Sequence, residues 1–472
     1  MVDKFLVGGQ WRASDEVLDV TFPYDGSQSG AVYMATDQDL DDAVAAALRG
    51  FEVTRKLPAY KRTEILMNLH RLMQERFDDL VNTMIMEGGK NYKTAVGETT
   101  RALQTILVSA EEARRIEGEV LSIDWTPAGV GRQGFIKRVP IGVVLGITPF
   151  NYPINLACHK LGPAIAAGNA IIIKPAEQTP LSSILLAELI LEAGYPPEAI
   201  SVVPCYGPRA ERMVLDPRIA MLSFTGSASV GWMLKGKAGR KRVALELGGN
   251  AGAIVHNDAD LDHAVARIAS GGFANAGQNC ISVQRVLIHN DVYEAFVDRL
   301  IPAVEALKVG DPRDKDTDIG PLISLRDAER AESWVNEALD QGAAMLIGGE
   351  RNGTMLPPIV LSQIDRDMKV ACQEIFAPVL TVMPYQEWDD AVAIINDSDY
   401  GLQAGVFTND IKRIMDAWDR IEVGGLQVND VSTFRVDHMP YGGVKGSGFG
   451  REGVKYTIEE MTESRLMVLN LT

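Results

Sequence analysis

The sequence predicts an α/β protein with a Rossmann-type, doubly wound domain followed by a second α/β domain. Three observations carry this. From residue 141, short β-branched runs alternate with helical stretches: IGVVLGI, INLACHKLGPAIAAG, NAIIIKP, PLSSILLAELILEAG and AISVVP. The alternation continues through a helix near ERMVLD, a strand IAMLSF, a helix SVGWMLKGKAG and a strand RVALEL, which is repeated β-α-β. A second α/β series then opens at AGAIVH, residues 251 to 256, and includes VQRVLIH and the helix VYEAFVDRLIPAVEAL. Parallel strands joined by right-handed crossovers form a doubly wound sheet, whose ligands bind beyond the carboxyl ends of the strands. The Gly-Gly pair at 248 and 249 marks the boundary between the two series. A length of 472 residues suits two or three domains at roughly 150 residues each.

Two strings match the G-x-G-x-x-G dinucleotide fingerprint, and neither has its context. Gly129, Gly131 and Gly134 lead into a strand, FIKRVP, whereas Gly448, Gly450 and Gly453 follow a turn-rich segment. The fingerprint works only when a strand turns tightly into a helix whose N-terminus faces a pyrophosphate. SFTGSASVG, residues 223 to 231, meets that requirement better, since it follows a strand and opens a helix. There Gly226 permits close backbone approach, and Ser227 either caps the helix or offers its hydroxyl to a phosphate.

Composition removes several classes. With 46 basic and 63 acidic residues the net charge is -17, which disfavours a nucleic-acid or anionic-membrane surface. No apolar run approaches the roughly 18 residues of a membrane span, and the N-terminus MVDKFLVGGQW lacks the layout of a secretory signal. The four cysteines (Cys158, Cys205, Cys280, Cys372) form no C-x-x-C pair, so no metal site and no disulfide framework are expected. A reducing, cytoplasmic setting is the expectation.

Cys280 lies in NAGQNCIS and, on these residues alone, could be a buried thiol, a metal ligand, half of a disulfide or a nucleophile. A nucleophile needs a route to thiolate, donors for an oxyanion and a base for the second attacker. Glu246 ends the apolar strand RVALEL, where a carboxylate is costly without water or a partner. Asn151 sits in the turn PFNYP, and an amide there is equally consistent with a plain turn former.

The motifs PFNYP (149–153), KPAE (174–177), FTGS (224–227), LELGG (245–249), GQNC (277–280), EIFAP (374–378) and PYGG through SGFGRE (440–452) occur in order along the chain. Together they resemble the aldehyde dehydrogenase superfamily, NAD(P)-dependent enzymes that oxidise aldehydes through a thioester. The resemblance implies that Cys280 attacks the aldehyde carbonyl and that the Asn151 amide and the Cys280 backbone N–H hold the oxyanion. Glu246 would activate water to hydrolyse the thioester. Its presence sets the chain in the hydrolytic rather than the coenzyme-A-acylating branch. The resemblance also assigns the coenzyme wall to Pro149, Phe150, Lys174, Glu177, Gly207, Phe224, Gly226, Ser227, Leu247 and Gly248, with Glu374 and Phe376 at the nicotinamide end. A carboxylate at Glu177 accepts from a free ribose 2′-hydroxyl and repels a 2′-phosphate, so NAD is expected to be preferred, with NADP possible. Ala377 stands where the family commonly has glycine.

Substrate and assembly follow from the same likeness. Tyr152, Asn155 and His159 after Asn151, and Phe434, Arg435 and His438 before the PYGG motif, give the expected tunnel a polar lining. That suits a short hydroxylated or anionic aldehyde and resembles lactaldehyde and semialdehyde dehydrogenases. Non-phosphorylating glyceraldehyde-3-phosphate dehydrogenases commonly carry Arg where this chain has Asn279. The expected organisation is a coenzyme domain of residues 1–121 and 141–248, a catalytic domain of 249–445, and a bridging element of 122–140 and 446–472. Its hairpin, DWTPAGVGRQGFIKRVP, would pair with the C-terminal strand near SRLMVLNL and recruit a second copy, giving a homodimer or homotetramer. The competing readings are a cysteine-dependent esterase or thiol hydrolase, and a non-catalytic binding protein on the same fold.

Overall fold

A computed structural model describes residues 2–471. Its largest sheet runs in the order Gln10–Arg12, Phe5–Val7, Ile200–Val202, Ala170–Lys174, Val143–Ile147, Ile219–Thr225, Arg242–Glu246, Gly448–Phe449. The five central strands are parallel, and the strands from the chain's two ends close the edges in antiparallel pairing. Burial on both faces explains the unbroken apolar strings such as AIIIK, every residue of which is buried. From the central strand Val143–Ile147 the chain first winds outward to Ala170–Lys174 and Ile200–Val202. It then returns to the other side at Ile219–Thr225. Strand order reverses there, and a crevice at such a switch point is where ligands of these sheets lie.

The second sheet has the order Ala344–Ile347, Ile359–Ser362, Val379–Tyr385, Val283–His289, Ala251–Val255, Gln403–Phe407, Gly425–Val428. The break near residue 249 is therefore a change of sheet: Arg242–Glu246 ends in the first and Ala251–Val255 begins the second. Gly249 is the sterically required glycine of the pair, because it faces backbone, whereas Gly248 faces a side chain. A Cβ on Gly248 would come within 2.2 Å of Glu374 Oε2, and one on Gly249 within 2.3 Å of the Cys280 carbonyl. The crossing thus brings Glu246, Glu374 and Cys280 into one neighbourhood.

The third sheet pairs Thr462–Asn470 with Arg132–Pro140 in a nine-residue antiparallel register, Leu466 opposite Ile136, and adds Glu119–Leu121 at the other edge. Gly131, in the first decoy fingerprint, takes φ 77° in the turn that enters Arg132–Pro140. The boundaries differ from expectation in two places. Residues 119–121 already belong to this sheet. Residues 446–461, expected in the bridging element, instead contribute the strand Gly448–Phe449 to the first sheet, and Val454, Ile458 and Met461 to its core. The physical reason is apolar burial: these side chains are covered, whereas nearly all of Thr462–Asn470 is exposed.

Candidate active site

A cavity of about 670 Å³ opens at the switch point, a size suited to a small-molecule or cofactor site. It is lined by the carboxyl ends of the central strands: 147–151, Lys174 with Glu177, 224–227, and 246–248. Every residue expected to be catalytic or coenzyme-binding lies on its wall: Cys280, Glu246, Asn151, Pro149, Phe150, Lys174, Glu177, Gly207, Phe224, Gly226, Ser227, Leu247, Gly248, Glu374 and Phe376. Sequence reasoning missed Met233, Val230 and Arg330 on the same wall. The first two face inward from helix Ala228–Lys237, which a turn-spacing argument from Ser227 could have found.

At one end the Lys174 ammonium sits 2.9 Å from Glu177 Oε1, with Lys174 buried and the Glu177 side chain partly exposed. Ser227 is the N-cap residue of helix Ala228–Lys237, but its hydroxyl makes no capping bond. The exposed side chain is thus left facing the cavity.

At the other end the loop between Phe273 and Val283 presents Cys280. Asn275, Ala276 and Gly277 all take left-handed φ, at 54°, 54° and 70°. A Cβ on Gly277 would come within 2.0 Å of the Ala377 carbonyl, so this loop is pressed against the segment that carries Phe376. The Ala377 methyl is buried in the core around the second sheet. Phe376 itself holds φ 51°, an unusual conformation for a bulky residue, with its ring edge-on to Phe150 at 5.9 Å. Glu374 accepts from the Gly249 N–H at 2.9 Å, and burial pushes its carboxyl up to about 7.

The Cys280 thiol lies 3.3 Å from the Tyr441 hydroxyl. Burial pushes it up to about 12, opposed by that hydrogen bond. Asn151 Nδ2 donates to the Gln278 carbonyl at 3.1 Å, two residues before Cys280, so the amide and the thiol share one turn. Glu246 ends its strand with Oε2 buried and unpartnered. Its carboxyl is raised well above the ordinary range, first by burial and then by the charge of Glu452. Glu452 is the member of that pair that keeps its charge. Arg435 Nη2 donates to it at 2.9 Å and Lys160 Nζ stands 3.6 Å away, and these cations with His159 hold it down at about 2 against burial.

The expected tunnel residues fall elsewhere. Asn155, His159 and Arg435 do not line the cavity; they form a buried polar layer with Asp437, Glu452 and Arg101. Asp437 accepts from Arg101 Nη2 at 2.7 Å, His159 Nε2 at 2.9 Å and Asn155 Nδ2 at 3.2 Å. His159 Nε2 also faces Arg435 Nη2 at 3.2 Å; a neutral ring cannot donate to one and accept from the other, and the shorter contact to a carboxylate favours donation to Asp437. Arg435 stacks 3.7 Å from the centroid of the Tyr441 ring, so it meets Cys280 only through that residue. Tyr152 is half-buried, with the Lys90 ammonium 3.7 Å from its ring centroid. Polarity was the signal used for this lining, and these groups find their partners in one another instead of in open space. Among the described residues no His, Cys, Asp and Glu cluster is arranged to hold a metal, and no helix is long and apolar enough to cross a membrane.

The sequence profile described as the aldehyde dehydrogenase family matches residues 11–467. The 3-sulfolactaldehyde dehydrogenase of Priestia aryabhattai is 47% identical over 466 residues, 98% of this chain and 97% of that one. The structure of aldehyde dehydrogenase 21 from Physcomitrella patens, in complex with the reaction product succinate, superposes with a TM-score of 0.98 at 38% identity, covering 100% of this chain and 98% of the other. The NADP-dependent glyceraldehyde-3-phosphate dehydrogenase of Bacillus halodurans, complexed with NADP, also gives 0.98, at 36% identity with both chains fully covered. With this agreement over the whole chain, the protein belongs to the aldehyde dehydrogenase family.

Proposed function

We propose that this enzyme oxidises a short hydroxylated or anionic aldehyde to its carboxylic acid, with Cys280 as nucleophile, Asn151 as oxyanion donor and Glu246 as general base. The observation that carries the reading is a single cavity whose wall holds the Lys174–Glu177 pair together with Cys280, Asn151 and Glu246. Cys280 gives up its thiol proton to water, its Sγ bonds to the carbonyl carbon as the π pair moves onto oxygen, and the Asn151 amide donates to that oxygen as charge builds on it. A nicotinamide coenzyme in the cavity supplies the acceptor for the hydride that leaves that carbon. Thioester hydrolysis then needs Glu246 to take a proton from water, and the thiol is released as the acid forms. The buried Glu246 is a base only once ionised, so this step speeds up as pH rises through its raised pKa.

The donor set fits the coenzyme: an uncapped helix start beside Ser227 for phosphate, and the Lys174–Glu177 pair for ribose hydroxyls. NAD is the preferred form in this reading, because a 2′-phosphate would have to displace the Glu177 carboxylate from Lys174. Substrate class rests on the relatives. The named relative acts on 3-sulfolactaldehyde, and the neighbour holds succinate; both carry an anionic tail. Four free cysteines suit a cytoplasmic setting. A second copy of the chain is the partner for the bridging sheet, where Leu466, Met467 and Val468 are each about half exposed on an edge strand. A homodimer or homotetramer is the expected assembly.

Reduced-coenzyme absorbance, measured with NAD and a panel of aldehydes, tests the reading. It is expected to rise fastest with short hydroxylated or anionic substrates. No reduction with any aldehyde would refute it, and turnover confined to long aliphatic aldehydes would refute the substrate class.

A further inference from the structure

Asn151 and Cys280 come from different domains, yet an oxyanion hole requires their donors to be set against each other to within a few tenths of an ångström. Asn151 immediately precedes helix Pro153–Ala167, whose N-cap, Tyr152, has no side-chain capping bond. Pro153 has no N–H to satisfy. The next two helical donors, the Ile154 and Asn155 N–H groups, are both taken by Glu98 Oε1, at 2.9 and 3.0 Å. Glu98 comes from helix Tyr92–Glu112, more than fifty positions away along the chain, and is 1% exposed. Its other oxygen accepts from Lys90, whose ammonium lies over the Tyr152 ring. The Glu98 side chain thus caps, from a distance, the helix start that carries Asn151.

The same segment also holds the other half. A Cβ on Gly89 would come within 2.6 Å of Pro321, so the backbone beside Lys90 is packed against that residue. Asn91 Nδ2 donates to the Asp318 carbonyl and the Tyr92 N–H to Pro312 at 3.0 Å, fixing the segment to the catalytic domain. Pro321 in turn accepts from Gln278 Nε2 at 3.3 Å, and Gln278 Oε1 accepts from the Ile323 N–H at 2.8 Å. Gln278 is the residue whose carbonyl meets the Asn151 amide. Residues 89 to 98 therefore touch the Asn151 helix on one side and the support of the Cys280 loop on the other.

We infer that Glu98, supported by Lys90, is a positioning residue for the two-part oxyanion hole, setting Asn151 against the Cys280 loop across the domain boundary. The inference rests on the proposed roles of Cys280 and Asn151. Its action on aldehyde passes entirely through Asn151, so its effect is on acylation and hydride transfer rather than on coenzyme affinity or on the intrinsic reactivity of the thiol.

The test is the rate of the first-turnover burst of reduced coenzyme, measured by rapid mixing at saturating aldehyde, for wild type, Asn151→Ala, Glu98→Ala and the double variant. Removing one oxyanion donor costs about 10²- to 10³-fold. Misplacing it through Glu98→Ala is expected to cost about 10- to 100-fold. Coenzyme affinity by fluorescence titration and the rate of Cys280 alkylation by iodoacetamide should stay within about twofold of wild type. If Glu98 acts through Asn151, the double variant is no slower than Asn151→Ala alone. Glu98→Gln combined with Lys90→Met keeps an oxygen for both N–H groups without stranding a buried cation, and should recover the burst to within about fivefold of wild type. A burst slowed by Asn151→Ala but not by Glu98→Ala overturns the inference alone, as do fully multiplicative losses in the double variant. A burst indifferent to Asn151→Ala overturns the underlying reading of Asn151 instead.

Discussion

The open wall of the cavity and the closed layer behind Tyr441 both carry charged side chains, but only the first presents them to a ligand. Lys174, Glu177, Ser227 and Glu246 lie at or just beyond the carboxyl ends of parallel strands, where the sheet stops and the crossover turns away. Arg435, His159, Asp437 and Glu452 lie between helix Pro153–Ala167 and the 430–452 segment, each answering another's charge or hydrogen bond. Position in the topology, more than polarity, decides whether a charged group is available for binding. The two regions meet at Glu246, which faces the cavity and whose carboxyl is raised first by burial and then by Glu452, against the pull of Arg435 and Lys160.

The largest effect that separates the two regions is expected at Glu246 itself. Glu246→Gln should leave the hydride burst intact and lower steady turnover by about 10²- to 10⁴-fold, the range of a lost general base. In wild type the steady rate should climb as pH rises through the raised Glu246 pKa, and in the variant that limb should vanish. Full turnover with an unchanged pH profile would remove Glu246 from the deacylation step.

Arg435→Leu sharpens the comparison from the other side. Breaking a buried pair strands Glu452, which typically costs about 3–5 kcal/mol of stability, seen as a lower Tm. Arg435 also lowers the Glu246 pKa, so its loss should move the acid limb of the steady rate to higher pH. Hydroxylated aldehydes and propanal should suffer alike, since the guanidinium is committed to Glu452 and His159. A KM increase confined to anionic or hydroxylated substrates would instead put Arg435 in direct contact with the tail.

These contrasts mark what was legible in the chain. The alternation of apolar runs from residue 141 located the parallel strands, because full burial leaves little room for polar interruptions; VQRVLIH maps onto Val283–His289 without a shift. The cavity wall was legible through ordered motifs, each at a strand end or turn. The grouping of Asn155, His159 and Arg435 was not, because composition cannot distinguish a side chain that faces water from one that faces another ion. Glu98 and Lys90 left no local trace, as their partners lie across a helix pair. The placement of residues 446–461 was not legible because the strand Gly448–Phe449 is only two residues long and the helix Val454–Glu460 is short and mixed in polarity.

The smallest effect is expected at the coenzyme end. Glu177→Ser should relax the preference for NAD over NADP by about tenfold or less, because the side chain is partly exposed and screened and Lys174 remains to attract phosphate. Specificity constants for both coenzymes measure it. A wild type that already favours NADP would contradict the argument from repulsion.

The central claim is that Cys280 carries the acyl group and Glu246 removes it. Intact-protein and peptide mass spectrometry on Glu246→Gln, quenched in acid after mixing with NAD and substrate aldehyde, tests it most directly. The account predicts a mass increase equal to the acyl group, located on the peptide containing Cys280 and absent when NAD is omitted. An acyl group on Cys158, Cys205 or Cys372, or no acyl group despite a full burst of reduced coenzyme, would contradict it.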